Sequence, residues 1–401
     1  MPSDNPKSSR RQFLSRTSLA LASAGVVGLP RPWAVGPEAA AGQAKTAGAP
    51  AKGKGVIERT LGRTGITLPV VSMGVMNANN PDLLKQAYEA GVRLFDTALG
   101  YQQGRNEKMI GDVVSQLGIR DKVIIQTKAP FPRAAAGEIK AKFLADFAGC
   151  LERLQTKYVD IMLIHQPSVE QMNNPEVVAA LKELKQQKQA RFIGVSQHAG
   201  QAGILKSAAE TGIYDVVLVG FNITNASDGD FLGAIKAASA KGVGVIAMKT
   251  QTGGRARNLG ALNQTAMLKW ALQHPEIATA VPGFTNSDQL AESFSVASGL
   301  DYTAGEKAWL ADKNVQLALD FCKQCGTCLP TCPSGVDIPT LMRTHMYAAS
   351  YANFEQARAT FNEIPENAGL KNCTDCAHCS ARCVNNVRIG EQIAELKSIY
   401  A

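Results

Sequence analysis

From Leu68 onward the chain alternates short apolar runs with longer amphipathic stretches. The runs VVSMGV, VRLFDT, KVIIQTK, VDIMLIH, ARFIGVS, DVVLVGF, GVGVIAMK and ATAVPG are rich in Val, Ile and Leu, the pattern of strands buried on both faces. Between them, LLKQAYEAG, NEKMIGDVVSQLG, EIKAKFLADFAGCLERL and NPEVVAALKELKQQ repeat their apolar positions at helical spacing. Strand then helix, eight times over, predicts an α/β fold in which a parallel sheet closes into a (β/α)8 TIM barrel. A doubly wound sheet is the competing arrangement, but no GxGxxG turn follows the first strand. The barrel is expected over residues 56–300, ending after DQLAESFSVAS. Helical patterns over EKAWLADKNVQLALDF and PTLMRTHMYAASYANFEQARATFNEI make 301–401 a small, mainly α-helical module.

Parallel barrels carry their chemistry where strands end and loops begin. Asp96 follows VRLF, Lys128 follows IIQT, His165 follows IMLI, and Tyr101 lies five residues beyond Asp96. A phenol is a poor acid at neutral pH and needs a neighbouring cation to lower its pKa. Lys128 is expected to supply that cation, with Asp96 fixing the lysine and His165 donating a hydrogen bond to a substrate oxygen. Together they make a proton-donor site for a carbonyl, or the reverse for an alcohol. His198, after GVSQ, is a lesser candidate for touching substrate at the barrel mouth. Cys150, at helical spacing from Phe143 and Phe147, is expected in the core.

DTALGYQQGRNEKMIGDVV, IIQTK, DIMLIHQP and GVSQH, in this order, resemble the aldo-keto reductase family over roughly residues 57–300. The resemblance implies a catalytic tetrad of Asp96, Tyr101, Lys128 and His165, with Tyr101 as proton donor, and an NADP or NAD cofactor. The family's Ser-Asn pair for the nicotinamide carboxamide is Ser196–Gln197 here, and its Gln on the sixth strand is Leu218. Met248 stands where the family stacks a Tyr on the nicotinamide, with Lys249 after it and within reach of a pyrophosphate. In the loop after the eighth strand Glu292 is kept. Gly283 and Gln289 replace the Lys and Arg that often grip a 2′-phosphate, which weakens any preference for NADP over NAD.

Composition changes the picture chiefly through cysteine. Eight of nine cysteines lie between Cys322 and Cys383. Cys322, Cys325, Cys328 and Cys332–Pro333 form C-x2-C-x2-C-x3-C-P, and Cys373, Cys376, Cys379 and Cys383 repeat the spacing. Zinc sites use two Cys pairs on a longer loop, and disulfides follow no such strict ladder. The run resembles bacterial-type ferredoxins, in which the fourth cysteine ligates the other cluster. That resemblance implies two 4Fe–4S clusters, one on Cys322, Cys325, Cys328 and Cys383 and the other on Cys373, Cys376, Cys379 and Cys332. The helical spacer is similar to that of the α-helical ferredoxins.

The net charge of +8 owes much to Lys7, Arg10, Arg11, Arg16, Arg31, Lys45, Lys52, Lys54 and Arg59. Aromatic residues are sparse among them (Phe13 and Trp33), which argues against nucleic-acid binding. SSRRQFL, a short apolar stretch and small residues describe an export signal too short for a membrane span. Arg10–Arg11 resembles the twin-arginine signal for folded cargo. Residues 1–55 are thus expected to be signal and flexible tether, and the protein periplasmic or otherwise extracytoplasmic. A small-molecule carbonyl or alcohol and a redox partner protein are the expected partners. Hydride chemistry moves two electrons while a 4Fe–4S cluster takes one. A flavin or quinone in place of nicotinamide therefore stays open, as does an electron-transfer or scaffold protein whose barrel is non-catalytic.

Overall fold

The computed structural model describes residues 55–251, 262–312, 322–373 and 379–400. Arg10, Arg11, the tether and Cys376 lie outside the described residues. Eight parallel strands form one sheet in sequential order: β3 (Met73–Gly74), β4 (Leu94–Asp96), β5 (Ile124–Pro130), β6 (Val159–His165), β7 (Ala190–Gln197), β8 (Val216–Gly220), β9 (Gly244–Met248) and β10 (Ile277–Ala280). Bridges Val71 to Ala280 and Gly74 to Gly283 join the last strand to the first, so the predicted barrel closes. Inward-facing Leu94, Ile161, Leu163, Val216, Leu218 and Ile246 fill its interior. Leu218 is one of these core residues, a role its apolar side chain fits and a glutamine's would not.

An antiparallel hairpin, β1 (Glu58–Thr60) and β2 (Thr67–Pro69), precedes the barrel and was not expected from the pattern. Leu61 packs into the interior, and Arg63 N–H donates to Gly242 O just ahead of β9, so the hairpin seals the N-terminal end. The opposite end is left for chemistry.

The predicted helices form around the sheet: α1 (Pro81–Ala90), α2 (Arg105–Leu117), α3 (Ile139–Arg153), the short α4 (Val169–Met172), α5 (Pro175–Gln186), α6 (Gln201–Thr211), α7 (Gly229–Ala240), α8 (Gln264–Leu272) and α9 (Ser287–Ser295). Asn80 and Asn174 cap α1 and α5 just ahead of a proline in the first turn, a pairing that satisfies or removes orphan N–H groups. Cys150 is fully buried beside Phe143 and Phe147, as expected.

Beyond the barrel come α10 (Ala304–Ala311), α11 (Ile338–His345), α12 (Phe354–Phe361) and α13 (Ile389–Tyr400). The stretch read as one helical pattern is therefore two helices. Its first runs into a π turn over Met346–Ser350, and Ala352 takes a left-handed conformation (φ 51°) before Asn353 caps the second. This module sits on the C-terminal face of the barrel. Arg105 pairs with Glu355 at 2.6 Å, Asn353 donates to Asn77 Oδ1 at 2.7 Å, and Arg133 donates to Glu363 O at 3.3 Å. Among the described residues no helix is long and apolar enough to cross a membrane.

Candidate active site

The loop after β4 is built to hold Tyr101. Asn106 donates to the carbonyls of Val75 and Ala78 and accepts from Thr97 Oγ1, tying the loop to the start of α1's approach. Gln102 and Gln103 are left-handed (φ 49° and 56°), which for non-glycine residues costs about 1–3 kcal/mol each. Gln102 offsets this with amide bonds to Met76 O and Ala78 O, both 3.0 Å. Buried Glu107 accepts from Thr127 at 2.5 Å and from Arg153 at 2.8 Å, so α2, β5 and α3 lock together. Gly111 lets α2 approach closely, because a Cβ there would lie 2.7 Å from the Leu154 backbone.

The four predicted residues converge. Lys128, wholly buried, donates to Asp96 at 2.8 Å and to Thr97 O at 2.6 Å. Gln126 donates to the other Asp96 oxygen at 2.6 Å. Lys128 Nζ lies 5.0 Å from the Tyr101 ring centroid, and the His165 ring meets Tyr101 edge-on at 6.0 Å. Burial of the ammonium lowers the Lys128 pKa and Asp96 opposes that shift. Replacing Lys128 by Met would leave a carboxylate buried without its cation, a loss of about 3–5 kcal/mol. Urea denaturation should show that loss, and Asp96→Asn in the same chain should restore part of it.

The electrostatics differ from the expectation in two ways. Burial, then the Asp96 carboxylate, pushes the Tyr101 phenol far above its ordinary value, and the cation that pulls it down is Arg343, from α11. Lys128 is spent on Asp96. Burial, then Lys128, Arg343 and Lys249, holds His165 well below its ordinary value, so the imidazole is neutral. Arg343 donates to Gln166 Oε1, which turns the Gln166 amide nitrogen toward His165 Nε2, 3.4 Å away. In this arrangement that ring nitrogen accepts; to donate to a substrate oxygen it must carry the ring proton, with the oxygen in the amide's place. Arg343, a link between the two modules, carried no sequence signal beyond a charge on an amphipathic helix.

A cleft of about 400 Å³ runs from Asp96 and Tyr101 past Met248 and Gly283 to Glu292. The buried Ser196 hydroxyl has no partner and is free for a carboxamide. Gln197, expected beside it, is not: its Nε2 donates to Pro167 O at 2.6 Å and its Oε1 accepts from His198 N at 2.7 Å and Ala199 N at 3.1 Å. An amide bonded at both ends within its own loop holds that loop. Lys249 is left-handed (φ 56°) and its Nζ lies over Tyr347 and Tyr351 of the helical module, at 4.7 and 4.9 Å. Burial, then Arg343 and Lys128, brings its pKa down to about 7. Tyr351 and Ser350 wall the cleft, so the helical module is part of the site. His198 lines a second cavity beside Lys249.

The cysteine loops suit thiolates. Gln324 N and Asn385 N point at the sulfurs of Cys322 and Cys383, at 3.4 and 3.3 Å, and Thr327 Oγ1 lies 3.3 Å from Cys325 Sγ. Gln324 and Gly326 are both left-handed (φ 57° and 75°), wrapping the backbone around the first ladder. Cys383, from the second ladder, is close enough for its charge to act on Cys322 and Cys328. Ser380 and Arg382 N bond the Thr331 turn between Cys328 and Cys332, at 3.1 and 2.9 Å, so the two ladders interlock. Backbone N–H groups aimed at Cys322 and Cys383, one sulfur from each ladder, suit thiolate ligands of an iron–sulfur cluster.

Residues 73–267 match the Aldo/keto reductase family and residues 321–388 match a 4Fe-4S dicluster domain. The chain thus carries a stretch similar to the aldo/keto reductases, followed by one similar to a 4Fe–4S dicluster domain. Aldo-keto reductase AFTS1 of Alternaria alternata is 29% identical over 201 residues, 40% of this chain and 55% of that protein. The uncharacterized oxidoreductase YqkF of Bacillus subtilis (strain 168) is 31% identical over 150 residues, 35% and 48%. The chain thus spans about half the length of the curated relatives it matches. Among solved structures, the holo form of aldo-keto reductase AKR11C1 from Bacillus halodurans superposes with a TM-score of 0.54 at 22% identity, over 64% of this chain and 95% of that one. An aldo/keto reductase from Klebsiella pneumoniae in complex with NADP and acetate gives 0.51 at 20%, over 63% and 94%. These likenesses establish the fold of the barrel.

Proposed function

We propose that the protein is an exported oxidoreductase that interconverts a carbonyl and an alcohol, with a nicotinamide dinucleotide in the barrel and two 4Fe–4S clusters as an electron relay. The observation that carries this reading is the Tyr101 phenol at the barrel rim, with the Lys128–Asp96 pair beneath it, neutral His165 beside it and a cleft leading away to Glu292. The complex of NADP with the Klebsiella relative supports the choice of cofactor. A bound nicotinamide would supply or accept the hydride. Ser196 would bind its carboxamide and Met248 pack against its ring. Tyr101 would give its proton to the carbonyl oxygen in reduction, and His165 would orient that oxygen. Asp96 holds Lys128 beneath the phenol, and Arg343 orders Gln166 against His165.

Cys322 shares the wall of one cavity with His198 and Lys249 of the barrel, which supports electron exchange between the cluster module and the site. A flavin or quinone remains the second reading, favoured by the commitment of Gln197 to its own loop and by Met248 at the stacking position. Anaerobically purified protein, with acid-released cofactors identified by mass and reduction followed on a panel of carbonyls, tests both readings. Turnover with NADPH or NADH would support the first. A flavin or quinone released in stoichiometric amount would replace it by the second.

Export rests on SSRRQFL ahead of a short apolar stretch. Replacing Arg10 and Arg11 by Lys should hold the protein in the cytoplasm, read by fractionation, and an unchanged extracytoplasmic yield would end that part of the reading.

A further inference from the structure

Between the barrel mouth and the helical module lies a cavity of about 240 Å³ that the proton-donor chemistry does not use. Its barrel wall carries His198 and Lys249, and its helical wall carries Arg343, His345, Glu391 and Glu395. The two glutamates are engaged: Glu395 meets His345 at 2.7 Å and Glu391 meets Arg388 at 3.3 Å. The cations Arg343 and Lys249 are less well matched. Arg343 is 9% exposed, with one terminal nitrogen on Gln166 and the other on Glu363, yet its buried Nε has no partner. Lys249 has no carboxylate at ion-pair distance among the described residues and rests on two aromatic faces. The remaining acid near this group, Asp96, is bonded to Lys128.

A buried cation without a counter-ion is costly, and an orphaned guanidinium N–H adds the cost of an unmade hydrogen bond. An anion in the cavity gives Lys249 the counter-ion it lacks, and Arg343, in the same cavity wall, adds its positive charge. Lys249 also lines the cleft that holds Tyr101, so a ligand anchored on it has its other end near the proton donor.

We propose that this cavity seats a carboxylate of the substrate between Arg343 and Lys249, so that the carbonyl compounds reduced here are short oxo acids. The inference rests on the carbonyl–alcohol reading above and adds to it a substrate class, selected by a residue of the iron–sulfur module. It also gives that module a reason to be fused to the barrel that is separate from electron relay. An alternative occupant of Lys249 is a cofactor phosphate, which Arg343, absent from the cleft wall, would not share.

The test compares 4-oxobutanoate with 4-oxobutanamide on the cluster-loaded full-length protein, and butanoate with butanamide by calorimetry. Hydrogen bonds to charged groups are worth about 1.5–3 kcal/mol, or roughly 10- to 150-fold. The acid should therefore exceed the amide in kcat/KM by at least about tenfold. Arg343→Met should bring the ratio of the two close to one, whatever happens to the absolute rate, and Arg343→Lys should keep part of it. Lys249→Met, if Arg343→Met does not fold, should lower the same ratio. Butanoate should bind and butanamide should not. An acid-to-amide ratio near one in the unaltered protein overturns the inference while leaving the carbonyl–alcohol reading intact. Binding of butanoate lost in Arg343→Met, with no turnover of any carbonyl, would uphold the anion site and overturn that reading instead. A change in cofactor affinity with the acid-to-amide ratio unmoved in both variants assigns Lys249 to the cofactor and overturns the inference.

Discussion

Tyr101→Phe is expected to lower carbonyl reduction by about 10²–10⁴-fold, the usual contribution of a positioned general acid. The phenylalanine ring keeps the contacts with His165 and Lys128, so only the proton is lost. Substrate affinity should change little, which places the loss in kcat. The pH profile adds a second check. Burial and Asp96 keep the phenol protonated far above its ordinary range. Reduction in the unaltered protein should therefore not decline with a midpoint near the free phenol's ~10. An alkaline decline at that position would show that Lys128 holds the phenol near its ordinary pKa after all. Full activity in Tyr101→Phe would mean that the barrel works by other chemistry.

The barrel and its tetrad were legible because each rests on a local signal. Strands buried on both faces read as apolar runs, and the residue that ends such a run lies at the functional rim. Asp96 and His165 end β4 and β6 and follow from that rule, while Lys128 lies just inside the end of β5. The hairpin over Glu58–Pro69 was not legible, since two strands of three residues are too short to show an alternating pattern. The docking of the helical module was hidden for a different reason. Arg343, Tyr347 and Tyr351 lie in a stretch whose period reports only that it is helical, while their partners Gln166, Lys249 and Tyr101 are far away in sequence. Contacts of that kind leave no periodic trace. Gln197 illustrates a third limit. A residue type that suits a cofactor amide also suits a loop carbonyl, and only the hydrogen bonds of the folded chain decide between them.

Cys383→Ser is expected to remove the cluster held by the first ladder, although Cys383 belongs to the second. Charge on Cys383 acts on Cys322 and Cys328, and Arg382 N donates to Thr331 Oγ1 in the turn between Cys328 and Cys332, so the second ladder is tied to the first. Two intact clusters contain about eight irons and eight labile sulfides, so the variant should retain about four of each. Pairwise combinations make the assignment independent of any single yield. Cys322→Ser added to Cys383→Ser should cost no further iron, because both empty one site. Cys379→Ser added to Cys383→Ser should remove nearly all of it, because the two serve different sites. The barrel has its own core and should keep its fold in every variant, which far-ultraviolet circular dichroism will show. The reverse pattern, with Cys379 and Cys383 acting as one and Cys322 adding a separate loss, would assign each ladder its own cluster and break the crossed arrangement. Stoichiometric zinc without labile sulfide would replace the clusters altogether. Under the proposed crossed arrangement each cluster would need a sulfur from the far side of the helical spacer, so neither half of the module would hold its cluster alone.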